Sequence, residues 1–166
     1  MSSYHVRAMH CDHLATEDEV YETLVRATAP LTDTWERLAK AKRIGIKINQ
    51  DEHPDEQVQH AGMLQQLVCD KVVRATLRLL RERTTAEIVC TDVSFYAMYN
   101  GKDPIQTATA LPALKEYGVE YVVGHQAPTK IVPVPGGGQM FSQYLLPEPA
   151  VDVDEFVSLA KMKKLL

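Results

Sequence analysis

No stretch of the chain approaches the run of about eighteen apolar residues that a membrane-spanning helix needs. The opening residues, Met1-Ser-Ser-Tyr-His-Val-Arg7, lack the apolar core of a signal peptide. The three cysteines, Cys11, Cys69 and Cys90, are an odd number at wide spacing with no CxxC. That pattern argues against a disulfide framework, a zinc knuckle or an iron–sulfur motif carried within the chain. These absences predict a cytoplasmic protein that does not enter a membrane. A net charge of −4 offers no electrostatic reason to bind nucleic acid or an acidic membrane surface. Two basic clusters, Lys40–Arg43 and Lys161–Lys164, flank predicted strands and read as solvated edges. Repeats, low-complexity segments and linkers are also missing. Ser94 lacks the GxSxG elbow of an α/β-hydrolase.

What is present suits one domain with a real core: 166 residues, 45% apolar and 24% charged. The stretch 43–55 organises the rest. Ile44, Ile46 and Ile48 alternate with Gly45, Lys47 and Asn49, the period-2 pattern of a strand. The strand runs into Gln50, Asp51, Glu52 and His53, and Pro54 keeps His53 out of helical geometry. Asp55 can cap a helical apolar stripe that continues to Arg83 through Leu64, Leu67, Val68, Val72, Ala75, Leu79 and Leu80. Gly62 marks a kink or short turn within it.

Upstream, residues 4–11 predict a short strand, and Thr16 with Glu19 forms a capping box that opens a helix ending near Pro30. A second helix should run from Thr32 or Asp33 through Ala41. Downstream, 86–91 reads as a buried strand closing on Asp92. Asp103-Pro104 should start a helix that ends at Gly118 in a left-handed cap. A strand over 119–124 follows, leaving through His125. Residues 131–146 read as a β-hairpin around the glycines 136–138, and 153–160 as a last strand. Because that glycine run precedes a strand and not a helix, a turn is favoured over a phosphate loop. Strand–helix alternation from 43 to 124 predicts a three-layer α/β sandwich with a mainly parallel sheet and a C-terminal β-hairpin insert.

If the strands are parallel, their polar exits share one edge, where α/β proteins place their sites. Those exits carry His10, Cys11, Asp12 and His13; Asn49, Asp51 and His53; Asp92; and His125. His10, His13 and His53, with a carboxylate, are candidate ligands of a divalent metal such as zinc or iron. Lys47, inside an isoleucine-rich strand, must point to solvent or find a partner. Desolvated it would be a nucleophile or proton carrier; paired with Asp92 it would anchor an anion; otherwise its amine snorkels to water. Lys161 and Lys163 alternate around Met162 and are candidates for binding an acidic ligand, or belong to a charged tail.

The order of pieces resembles a family known as domain of unknown function 362. In it a strand ending Lys-Pro-Asn precedes a Val-Val-Arg-Ala helix, a strand ending Gly-Asp, and later a strand ending Pro-Lys-x-Lys-Thr-His. The counterparts are Lys47-Ile-Asn49, Val72-Val-Arg-Ala-Thr-Leu-Arg-Leu-Leu-Arg-Glu82, Glu87-Ile-Val-Cys-Thr-Asp92 and Val153-Asp-Glu-Phe-Val-Ser-Leu-Ala-Lys-Met-Lys163. Ile48, Thr91 and Ala160 stand where the family has Pro, Gly and Pro. The family's Thr-His and a further half-domain are not present, so the resemblance implies a short member or one half of a larger fold. Some members carry a ferredoxin-like module, which implies redox work; any cluster would sit on another chain.

Two functions follow as expectations. One is a redox-associated or metal-assisted enzyme acting on a small anionic ligand. In it Lys47 binds or polarises the anion, Asn49 orients it, and Asp92 is base or metal ligand. The other is a non-catalytic module that forms a homo-oligomer or docks to a second subunit.

Overall fold

The computed structural model describes residues 6–50, 57–93, 101, 103, 105 and 108–162. The order of elements is α1 (Glu17–Thr28), α2 (Thr32–Lys40), β1 (Arg43–Ile48), β2 (Gln59–His60), β3 (Met63–Leu64), α3 (Asp70–Arg83) and β4 (Glu87–Asp92). Then come α4 (Leu111–Glu116), β5 (Glu120–Val123), β6 (Thr129–Pro133), β7 (Gln143–Pro147), α5 (Glu148–Val151) and β8 (Glu155–Leu159).

Four strands make a sheet in the order β5-β4-β1-β8, and every neighbouring pair is parallel. β1 is flanked on both sides, Ile46 lying beside Cys90 of β4 and Val157 of β8. Its alternation sorts the sheet's two faces. Ile44, Ile46 and Ile48 are at most 1% exposed and join Val73, Leu77 and Leu80 of α3 and Ile88 and Cys90 of β4 in one core. Each such aliphatic side chain contributes about 1.5–3 kcal/mol by leaving water. Gly45 and Lys47 belong to the other face, which α5 and Val153 approach. A methyl group built on Gly45 would stand 2.8 Å from Phe156 Cδ2 and 3.3 Å from Val153 Cγ1, so glycine is what lets that side close.

α1 begins with the expected capping box: Thr16 N–H donates to Glu19 Oε2 (2.7 Å) and Glu19 N–H to Thr16 Oγ1 (3.3 Å). No residue of α1 is fully buried. Polar contacts help hold it on α3: Arg78 reaches Asp18 at 2.8 Å and stacks 3.8 Å over the Tyr21 ring, and Tyr21 donates to Glu82.

Several expected boundaries shift. Residues 6–11 form no strand and add to neither edge of the sheet, β5 or β8, and Val6 stays 95% exposed. Tyr4 and His5 lie outside the described residues. The long helix expected from Asp55 is α3 alone. Ahead of it, β2 and β3 form an antiparallel pair turned by Ala61 and Gly62, both at positive φ, a conformation that a helix interior does not accept. Asp55 itself is outside the described residues. Asp103 Oδ1 accepts the Ile105 N–H at 3.0 Å, the bond expected of an N-cap, and Ile105 is helical, while 104, 106 and 107 lie outside the described residues. The chain leaves helical geometry at Ala108, so the helix that reaches Gly118 is the separate α4, Leu111–Glu116. Gly118, at φ +62, ends it as expected. β6 and β7 form the expected hairpin, with Gly136 and Gly137 at positive φ in its turn.

β1, β4 and β5 step across the sheet in one direction, and the chain then returns to place β8 on the far side of β1. The strand order therefore reverses between β1 and β8. Parallel α/β sheets open a crevice at such a point, outside the carboxyl ends of the strands. No described helix is long and apolar enough to cross a membrane.

Candidate functional site at the carboxyl edge

Parallel pairing brings the exits of β1, β4, β5 and β8 to one edge, so residues far apart in sequence meet there. Val68 N–H, just ahead of α3, donates to Asn49 O (3.2 Å), which starts that helix beside the exit of β1.

Asp92 ends β4 and is 5% exposed. Its Oδ2 accepts Gln50 N–H at 2.7 Å, its Oδ1 accepts Val93 N–H at 2.8 Å, and Lys47 Nζ stands 3.3 Å from Oδ1. Burial raises the Asp92 pKa above its ordinary value and outweighs the Gln50 N–H, the Lys47 charge and the Val93 N–H, which all pull it down. The two side chains differ in their access to water: that of Lys47 is 37% exposed and that of Asp92 is 6% exposed. The cation is thus the outward partner of the pair. Two residues back in β4, the buried Cys90 thiol is pushed up to about 12, first by desolvation and then by Asp92.

Gln50 fixes this arrangement. It is 1% exposed, and besides holding Asp92 it donates from Nε2 to Asn49 O at 3.0 Å. Its Oε1 accepts the Thr109 hydroxyl at 2.8 Å and the Ala110 N–H. Gln50 thereby links the exit of β4, through its backbone N–H, and the exit of β1, through its side chain, to the turn before α4. Across the reversal point, Asn49 Oδ1 accepts Lys161 N–H at 3.1 Å and ties the exit of β8 to that of β1. At the other end, Gly124 N–H donates to Asp92 O at 2.8 Å, and the next residue, His125, has a buried Nδ1 with no hydrogen-bond partner among the described residues.

Of the candidates read from sequence, Lys47, Asn49, Asp92 and Lys161 come together along this edge. Lys161 is joined through its backbone. Lys163 and His53 lie outside the described residues. His10 and His13 are exposed in the segment before α1, where His13 Nδ1 lies 3.4 Å from Asp12 Oδ1. Among the described residues, no three His, Cys, Asp or Glu side chains gather in a way that could hold a metal ion. Gln50 had no signal beyond its place after the strand, since a polar residue in a loop is ordinary.

A family model described as Domain of unknown function (DUF362) matches residues 44–164. The chain belongs to this family. The matched DUF362 region starts within β1 and takes in Lys47, Asn49, Gln50, Asp92, His125 and Lys161, whereas His10, His13, α1 and α2 precede it. No curated protein and no solved structure gives a significant match.

Proposed function

We propose that this DUF362 chain binds a small anionic molecule at the carboxyl edge of its sheet and acts on it by moving a proton. The observation that carries the reading is the Lys47–Asp92 pair, 3.3 Å apart on adjacent strands beside the reversal of strand order. Lys47, as the water-accessible partner, is the group that meets an incoming anion. An anion that draws Lys47 away leaves Asp92 buried with less compensating charge, and its affinity for a proton rises further. Binding and proton uptake are thereby coupled. Asn49, anchored to β8, frames the entrance.

Each oxygen of Asp92 already accepts a backbone N–H, and one also faces Lys47. This favours a role in proton handling over metal ligation. Calorimetric titration with phosphate, pyrophosphate, and di- and tricarboxylates tests the reading. One anion class should bind with proton uptake in buffers of different ionisation enthalpy. Lys47→Met should weaken that binding at least tenfold, and Asp92→Asn should leave binding but abolish the proton uptake. If no anion in the panel binds, or if Lys47→Met binds as the wild type does, the reading is wrong.

A second reading, a module that pairs with another copy or subunit, rests on a different observation. The β6–β7 hairpin displays Ile131, Phe141, Tyr144 and Leu145, each at least half exposed.

A further inference from the structure

Away from the carboxyl edge, a cavity of about 280 Å³ lies between α1, α2, α3 and the outer strand β8. Its deep wall is made by Leu38, Leu79 and Leu80, all 5% exposed or less. Val157 and Leu159 of β8 close one side, and Leu31, 36% exposed, marks its mouth. Among the described residues, no charged side chain lines it. Three threonines do, and two of them are already satisfied: Thr28 Oγ1 donates to Leu24 O at 2.9 Å and Thr76 Oγ1 to Val72 O at 2.8 Å. Trp35 also lines the cavity, but its indole N–H is used by Thr28 O at 3.0 Å. The wall therefore presents hydrocarbon, and of its three hydroxyls only that of Thr34 makes no hydrogen bond among the described residues.

We propose that this cavity is a binding site for a small, uncharged, largely apolar molecule no larger than a three-ring aromatic, independent of the anion site. A dry apolar void of about 150 Å³ already binds benzene, and ordinary ligand pockets start at roughly 300 Å³. The volume is thus right for one compact molecule and too small for a helix or strand of a partner. The absence of lining charge selects against an ionised ligand, because a buried ion would have no counter-charge. At most one polar group on the ligand finds a partner, at Thr34.

The chain contains a single tryptophan, and it lies in the wall. Excitation of Trp35 should therefore sensitise the emission of N-phenyl-1-naphthylamine bound in the cavity. The expected result is saturable, one-to-one sensitised emission, with at least tenfold weaker binding of the sulfonated analogue 8-anilinonaphthalene-1-sulfonate. Thr34→Phe, which fills the cavity from a half-buried position, should lower affinity for the uncharged probe at least tenfold. Leu31→Phe, at the exposed mouth, should do the same and keeps the test decisive if Thr34→Phe fails to fold. Non-saturable emission, tighter binding of the sulfonate, or unchanged affinity in a folded filling variant would overturn the proposal. So would probe binding that is lost as protein concentration rises, since a second copy would then be the occupant.

Discussion

Asp92 carries its proton differently from the other carboxyls whose partners are clear. Glu19 and Asp154 are held below their ordinary values, first by the Thr16 N–H and the Arg43 N–H respectively. Each contributes stability above its unfolded value and loses it as pH falls. Asp92 is held above the ordinary 3.8, chiefly by burial, so its folded form keeps a proton that the unfolded chain gives up. By linkage, its contribution is fully present below that unfolded value and is lost as pH rises through the folded one. Asp92→Asn removes this slope. Its amide cannot accept both N–H groups, which adds a pH-independent cost of about 1–3 kcal/mol. Urea unfolding from pH 3 to 8 should show the wild type's advantage over Asp92→Asn shrinking as pH rises above about 4. An advantage that grows with pH would refute the burial account. Sequence alone placed Lys47 and Asp92 as possible partners, because a lysine among isoleucines must find one. It could not place Gln50 in their network, since that role depends on the turn at Thr109 and Ala110 arriving from across the sheet.

At the scale of elements, legibility followed how local the determinants are. The capping box of α1, the alternation of β1 and the left-handed Gly118 are written within a few residues, and each appears where the sequence places it. The β2–β3 pair was hidden because Leu64, Leu67 and Val68 continue the helical spacing of α3, while its turn rests on Ala61, a residue with no preference for positive φ. The return of β8 to the far side of β1 is a long-range choice, but Gly45 shows what permits it. Its missing side chain leaves room for Phe156 of the neighbouring strand. Gly45→Ala should cost about 1–3 kcal/mol through overpacking. Because the collision is with Phe156, Gly45→Ala combined with Phe156→Ala should be less destabilised than the sum of the two single variants, by at least about 0.5 kcal/mol. Strict additivity in urea denaturation would show that the two do not share that space.

For the whole molecule, the question is how the β6–β7 hairpin survives. Two-stranded ribbons are marginal in water. This one is tied at its base, where Glu148 N–H donates to Pro128 O at 2.8 Å and Lys130 pairs with Asp152 at 2.5 Å. Beyond that base, Ile131 and Leu145 sit opposite each other and are exposed at 63% and 66%. Burying that pair against a partner would offset the cost of ordering the arm. Sedimentation equilibrium should therefore find a dimer that Ile131→Ser with Leu145→Ser returns to monomer while the melting midpoint of the monomeric core is kept. A wild-type monomer at 100-fold the protein concentration used for the variant would remove the second functional reading.

The reversal of strand order also sets a timetable. β1 gains its β4 neighbour early in synthesis, yet the bond that joins its exit to β8 spans 112 residues. At ribosomal speeds of about 5–20 residues per second, one side of the central strand waits on the order of ten seconds before its neighbour is made. During that wait the isoleucine-rich strand offers an open template to any passing chain. Newly made molecules, more than finished ones, are therefore where this protein's vulnerability to aggregation lies.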